Sequence, residues 1–526
     1  MNTIRGIVTV AAGLGLAAAA TGAGGQASNP VILADVPDGA VIRVDDTYYM
    51  SSTTMHMSPG LPIMKSKDLV NWELTGYACE RLVENDRMNL ENNRNCYGAG
   101  SWASSLRFHN GTFYATTFSA TSGLTHIYST KNIEKGPWQE HSFAPVLHDH
   151  SLFFDDDGRI YMIYGSRQLS LIELLPDLSG IKPGGVSQVI VENANLLFGQ
   201  AEAGGLNAEG SQLCKVNGKY YLFNIASPQS RWARTVLIHR ADQITGPYEG
   251  RIALDDCGIA QGGLIDTPDG KWYASLFGDR GAVGRMPYLV PVEWQEGWPV
   301  LGISGRVPET LELPDNARGI CGLVASDEFE RRPGDPKLPL AWQWNHNPDH
   351  GNWAVLESPG RLRITTGRVD QDVLGAKNIL TQRTFAPVSS ASTCIEVSRM
   401  KEGDAAGLIA LQKKYGYVGV KMDGGKKAIV MVSAQGDTPL EIAALPLLQR
   451  EVYLRIDCDF RNRSDRARFY WSLDGRQWQQ IGNTLQMVYT LPHFMGYRFG
   501  LFNFATGTAG GSVDFDFYRV AGEIQE

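Results

Sequence analysis

The sequence predicts an all-β chain, a five-bladed β-propeller over residues 29–305 followed by a β-sandwich over residues 322–526. Three features predict it. A polar turn leading into a two-aromatic strand returns five times in the first part of the chain. Between these repeats the apolar residues alternate and almost never follow the 3.6-residue period of a helix. Past residue 321 the strands change style, with short turns and cleaner alternation.

The repeat reads VDDTYYM (44–50), HNGTFYA (109–115), DDGRIYM (156–162), VNGKYYL (216–222) and PDGKWYA (268–274). Asp-Gly and Asn-Gly suit hairpins because a type I′ turn needs positive φ at both central residues. The alternating aromatics after them suit half-buried strands. Most repeats are followed by an apolar strand that runs into a charged turn and an aromatic, as in LPIMKSKDLVNW (61–72) and TVLIHRADQITGPY (235–248). Units of about four strands, recurring roughly every fifty to sixty residues, are what propeller blades require. A parallel β/α barrel would need helices between its strands. VPETLELPDNARG (307–319) carries prolines and charges without alternation and reads as part of a linker over 306–321. RLRITTG, AGLIALQK, VYLRIDCDF and GSVDFDFYRV then alternate as the strands of a concanavalin-like sandwich do.

Composition agrees with two globular domains. A chain of 526 residues exceeds what one core ordinarily serves, and 43% hydrophobic with 20% charged residues excludes a disordered chain. A net charge of −8 with no basic run argues against nucleic acid. Residues 1–27 read as an export signal, one basic residue before an apolar Ala-rich run, with cleavage expected near Ala23 or Ala27. That implies a secreted or periplasmic protein with no membrane contact after cleavage. The seven cysteines form no CxxC and no metal spacing. Cys79 and Cys96 are the only pair close enough in sequence for a local disulfide.

The chemistry centres on three carboxylates. Glu209 sits in GLNAEGSQL, between small residues just before a strand pair. Asp38 lies in ADVPDGAVIRV and Asp149 in LHDHSLFFDDDGR, each ahead of an apolar run. A loop carboxylate is ordinarily solvated. In a propeller, however, the first strands of successive blades converge on one axis, so these three would meet. Crowded carboxyls push their pKa values apart, leaving an ionised base and a protonated acid, the minimum for hydrolysing a glycosidic bond. His148 and His150 flank Asp149 without a third ligand at metal spacing, so zinc is not expected.

The ADVPD…IRV…YYM opening and the DHSLFFDDDG, AEGSQL and GRMPYLVPVEW segments resemble glycoside hydrolase family 43. The resemblance is to the branch with a C-terminal sandwich, the β-xylosidases and α-L-arabinofuranosidases, and it runs from about residue 29 to the end. It implies an inverting mechanism with Asp38 as general base and Glu209 as general acid. Asp149 would orient Glu209 and hold its pKa up. The base and acid of an inverting pair stand roughly 6.5–9.5 Å apart. Gly39 and Ala40 replace the proline and small residue that usually follow the base, which leaves Asp35 as a rival. The resemblance further implies that Arg285 reaches the pocket floor and Trp102 walls the sugar site, with His56 and Gln261 as additional sugar contacts. Relatives carry a histidine at the Gln261 position that helps hold a central calcium.

The sandwich is expected to lend the pocket a loop, GLFNFATGTAGG (500–511), with Phe502 or Phe504 intruding. Asp327 in SDEF and Asp514 in VDFDF resemble a calcium corner. No cofactor is required beyond such a structural calcium. The expected activity is exo-acting release of terminal β-D-xylose or α-L-arabinofuranose from plant cell-wall oligosaccharides. An endo-arabinanase and a silent sugar-binding propeller are the alternatives.

Overall fold

Hairpin turns set the architecture. The computed structural model describes residues 25–316, 320, 322–436 and 438–525, so most of the expected export signal lies outside the described residues. Asn110–Gly111 and Asn217–Gly218 both adopt positive φ, the type I′ signature, and Asp45, Gly158 and Gly270 do the same work in the other repeats. Each turn joins the first two strands of a four-stranded antiparallel sheet, and five such sheets follow one another along the chain. Blade 1 is Ala40–Val44, Thr47–Ser51, Gly60–Ser66 and Trp72–Cys79; blade 4 is Glu209–Val216, Lys219–Ala226, Thr235–Ala241 and Glu249–Leu254. The inner strands Ala40–Val44, Ser105–His109, Ser151–Phe154, Glu209–Val216 and Ile259–Asp266 contact one another in a closed ring. That ring is the propeller axis. Arg107 pins it, donating to Leu152 O (2.6 Å), Ser151 Oγ (2.8 Å) and Leu213 O (2.9 Å) across three blades. Helical structure among the described residues is confined to short 3₁₀ turns.

Alternation carries the second domain. In Glu451–Asp459 the side chains of Val452, Leu454 and Ile456 are fully buried while Tyr453 and Arg455 face outward. Each such aliphatic side chain contributes about 1.5–3 kcal/mol through burial. The sandwich consists of two antiparallel eight-stranded sheets. One of them is not built from the sandwich alone. Its last strand is Met57–Ser58 from blade 1, paired with Gln343–Asn345. Ala27–Ser28 likewise pairs with Thr310–Leu311, inside the expected linker. Ala27 is fully buried there, so cleavage after it would break that pairing.

The packing answers the open question of a Cys79–Cys96 bridge and corrects one expectation. Cys79 and Cys96 are both free. Cys79 packs with Tyr128 and Ile133, while Cys96 packs with Met88 and Leu82 in a separate cluster. Asp327 and Asp514 are no calcium corner, because arginines already neutralise both. Asp327 accepts from Arg331 Nη1 and Nη2 (2.9 and 2.7 Å) and from Trp342 Nε1 (3.0 Å). Asp514 accepts a bidentate pair from Arg363 (2.7 and 2.9 Å) and a further bond from Arg399. Paired carboxylate and guanidinium satisfy one another without a metal.

Candidate active site

The three carboxylates stand where the inner strands of three blades begin. Asp38 precedes Ala40–Val44, Asp149 precedes Ser151–Phe154, and Glu209 opens its strand. Asp38 (φ 54°), Asp149 (φ 47°), Gly210 (φ 66°) and Gln261 (φ 57°) all hold left-handed backbone at these entrances. For a non-glycine residue that costs of order 1–3 kcal/mol and persists only where the surroundings impose it.

Neighbours fix each group. Asp38 is 6% exposed, and its Oδ1 accepts from Arg285 Nη1 at 2.9 Å. Burial pushes the Asp38 carboxyl above its ordinary range, while Arg285 and Arg234 favour the charged form. Asp35, the rival, is consumed by structure. Its Oδ1 accepts from Arg285 N (2.7 Å) and its Oδ2 from Gly496 N (3.0 Å), tying blade 5 to the sandwich.

Asp149 is buried, and its Oδ2 accepts from Gly210 N at 2.8 Å. Burial, then the negative charges of Glu209 and Asp38, push it up to about 7 against the pull of His148 and the Gly210 hydrogen bond. Glu209 keeps its side chain 28% exposed, open to the funnel, and its Oε2 lies 3.1 Å from His148 Nε2. Burial works against charge on His148, but the Glu209 hydrogen bond and the Asp149 charge outweigh it and raise its pKa. Asn195 holds the approach to Glu209, bonding Leu206 O (2.8 Å) and Ala208 N (2.9 Å).

The sandwich does lend a ring, though from another loop than expected. Phe502 is fully buried between Tyr417 and Phe504 in the core of its sheet. Phe494 reaches the site instead. It stacks on Trp102 at 5.3 Å, lies 4.6 Å from the Arg285 guanidinium, and accepts from Arg285 Nη2 through its carbonyl (3.4 Å). Its own φ is 52°, a strained value for an aromatic residue. Trp102 continues the stack to Phe118 (6.0 Å), which meets His148 edge-on (5.2 Å). An aromatic wall thus runs from the sandwich loop to the partner of Glu209.

His56 is corrected as a sugar contact. It is fully enclosed at the domain seam, with the rings of Tyr97 and His346 each 4.7 Å away, and burial drives its pKa down to about 3. Gln261 lies at the axis, close enough that a Cβ on Gly210 would strike its side chain at 2.8 Å. Among the described residues His148, Asp149 and Glu209 form one cluster of histidine and carboxylate ligand atoms, all within 4.8 Å of one another. Within it His148 Nε2 and Glu209 Oε2 lie within hydrogen-bond distance at 3.1 Å, Asp149 accepts from Gly210 N at 2.8 Å, and His148 Nε2 stands 3.9 Å from Asp149 Oδ2.

Three residues of the site were not expected from sequence. Phe494 lies in an irregular stretch without repeat or motif, and it meets Arg285 only through domain packing. His148 is visible beside Asp149 in the sequence, but nothing there signals that it reaches Glu209 on the next blade. Arg234 packs over Phe277 (5.4 Å), pairs with Asp279 (3.3 Å) and acts on Asp38.

Comparisons with known proteins follow the same division of the chain. Residues 27–299 match the model of glycosyl hydrolases family 43, and residues 326–521 match the beta xylosidase C-terminal concanavalin A-like domain. A beta-xylosidase of Formosa agariphila is 27% identical, covering 93% of this chain and 89% of that protein. A non-reducing end alpha-L-arabinofuranosidase of Bacteroides ovatus is 28% identical over 72% of this chain and 73% of its own. A solved bifunctional GH43-CE protein of Bacteroides eggerthii superposes with a TM-score of 0.93 at 59% identity, covering 95% of this chain; this chain spans 64% of that one. With the propeller, the sandwich and both domain matches in agreement, the chain belongs to glycoside hydrolase family 43 and is a glycosidase.

Proposed function

We propose that this glycosidase removes terminal β-D-xylosyl or α-L-arabinofuranosyl groups from hemicellulose oligosaccharides with inversion, using Asp38 as general base and Glu209 as general acid. The observation that carries the reading is the asymmetry of the two carboxylates. Burial pushes the Asp38 carboxyl above its ordinary range, while the Arg285 guanidinium 2.9 Å away pulls it toward the ionised form a general base needs. Glu209 stands on another blade, half open to the funnel and held at one oxygen by His148. In the reaction Asp38 takes a proton from water as the water oxygen bonds the anomeric carbon. Glu209 gives its proton to the glycosidic oxygen as the carbon–oxygen bond breaks, and the anomeric configuration inverts. Asp149 is the positioning residue between them, seated through Gly210 N beside Glu209.

Phe494 and Trp102 narrow the funnel on the Arg285 side, which suits a pocket for a chain end rather than an open groove. The similarity to relatives named for xylosidase and arabinofuranosidase activity supports both sugars. The test is hydrolysis of aryl β-D-xyloside and aryl α-L-arabinofuranoside, with the first-formed anomer read by NMR. The wild type should release the inverted sugar, and Glu209→Gln should lose about a hundredfold or more. Equal rates in wild type and variant would refute the acid assignment. Cleavage of linear arabinan with neither glycoside turned over would refute the exo reading.

A further inference from the structure

The end of blade 4 that carries Glu209 also carries an aromatic side chain that the mechanism leaves unused. Glu209 pairs with Ile225 across the first hairpin of blade 4, and Ala226 pairs with Thr235 in the next. The loop 227–234 therefore rises at the same end of the blade as Glu209. Trp232 stands in this loop with 70% of its surface exposed.

The loop is built to hold a position. Ser227 N donates to Leu206 O (3.2 Å) and Gln229 N to Glu202 O (3.0 Å), and Ser230 N donates to the Glu202 carboxylate (2.8 Å). Gly204 and Gly205 permit the close fit: a Cβ on Gly205 would sit 2.1 Å from Ser227 O, and one on Gly204 would sit 2.5 Å from Gln229 Oε1. Arg231 pairs with Asp255 on one side of Trp232. Arg234, two residues beyond it, pairs with Asp279 at 3.3 Å and acts on Asp38. Trp232 is thus anchored from both flanks while its ring is left to solvent.

The reaction geometry says what meets that ring. A general acid stands beside the glycosidic oxygen it protonates, so the departing half of the substrate lies on its side of the pocket. We infer that Trp232 is a stacking platform for the leaving-group sugar, a pyranose whose C–H face covers the indole as the Glu209 side of the bond departs. Aromatic faces recognise sugars in this way because the ring C–H groups are apolar while the hydroxyls stay in water. The inference rests on the assignment of Glu209 as the acid.

The experiment compares xylobiose, whose leaving group is a pyranose, with β-D-xylosyl fluoride, whose leaving group is a single atom. kcat/KM is measured for both in the wild type, Trp232→Ala and Trp232→Phe. The expected result is a ten- to fiftyfold greater loss on xylobiose than on the fluoride in Trp232→Ala, with most of it restored in Trp232→Phe. An equal loss on both substrates would make Trp232 structural, and no loss on xylobiose would also overturn the inference. If the wild type turns over neither substrate, the proposed xylosidase activity falls and this platform falls with it.

Discussion

Asp149→Asn should make the protein more stable and less active, and the gain should grow with pH. The Asp149 carboxyl sits at about 7 in the folded chain against 3.8 for an ordinary aspartate, chiefly because it is buried. A difference of about three pH units corresponds to about 4 kcal/mol between the protonated and ionised forms. Below about pH 4 the carboxyl is protonated in both folded and unfolded chains and costs nothing. Between about pH 4 and 7 the unfolded chain has lost this proton while the folded chain still holds it. Stability therefore falls as pH rises, by up to about 1.4 kcal/mol per unit, and the full cost is reached above pH 7. Asparagine never ionises, and its carbonyl can still accept from Gly210 N. The advantage of the variant in urea denaturation should thus rise from near zero at pH 4 toward about 4 kcal/mol at pH 8. Activity on aryl glycosides should fall at least about tenfold over the same range. A stability gap that is flat across pH, or that shrinks toward pH 8, would refute the argument that burial holds this proton.

Other perturbations probe the rest of the site. His148→Gln should lower kcat about tenfold with little change in KM, since the 3.1 Å contact fixes one Glu209 oxygen and has no part in holding the sugar; an effect confined to KM would contradict this. Phe494→Ala removes the ring over Arg285 and Trp102, and should raise KM for oligosaccharides by about tenfold while the fold survives, as read by thermal melting. Gly496→Ala would bring a Cβ within 2.1 Å of Val283 O, so the loop bearing Phe494 must shift. A loss of about 1–3 kcal/mol in stability together with reduced activity is the expected outcome, and a fully active variant would show that the loop needs no close seat.

Where local chemistry dictated structure, the sequence was legible. Asn110–Gly111 and Asn217–Gly218 turn as their residue types demand, and the strands on either side follow from alternation. Asp38, Asp149 and Glu209 could be placed together because blade repeats fix where each inner strand starts. What could not be read depends on contacts between distant segments. Phe494 reaches Arg285 across 209 residues of chain, and no local pattern separates it from Phe502, whose aromatic, glycine-rich surroundings looked more like a loop than a core strand. Asp327 and Asp514 misled for a related reason. A carboxylate in or beside a strand looks the same in sequence whether its partner is a cation from solution or an arginine brought by folding.

The pairing of Met57–Ser58 with Gln343–Asn345 bears on how this enzyme can change through evolution or engineering. Blade 1 completes a sheet that belongs to the other domain, and Gln343 Nε2 returns a bond to Pro59 O at 2.7 Å. A propeller cut free near residue 305 would carry an orphaned strand, an Asp35 that has lost its bond from Gly496 N, and a funnel without Phe494. The sandwich is therefore an inseparable half of the catalyst, and it cannot be exchanged like an appended binding module. New specificities in such a chain should come from altering the seam loops in place, since swapping either domain would dismantle the pocket they share.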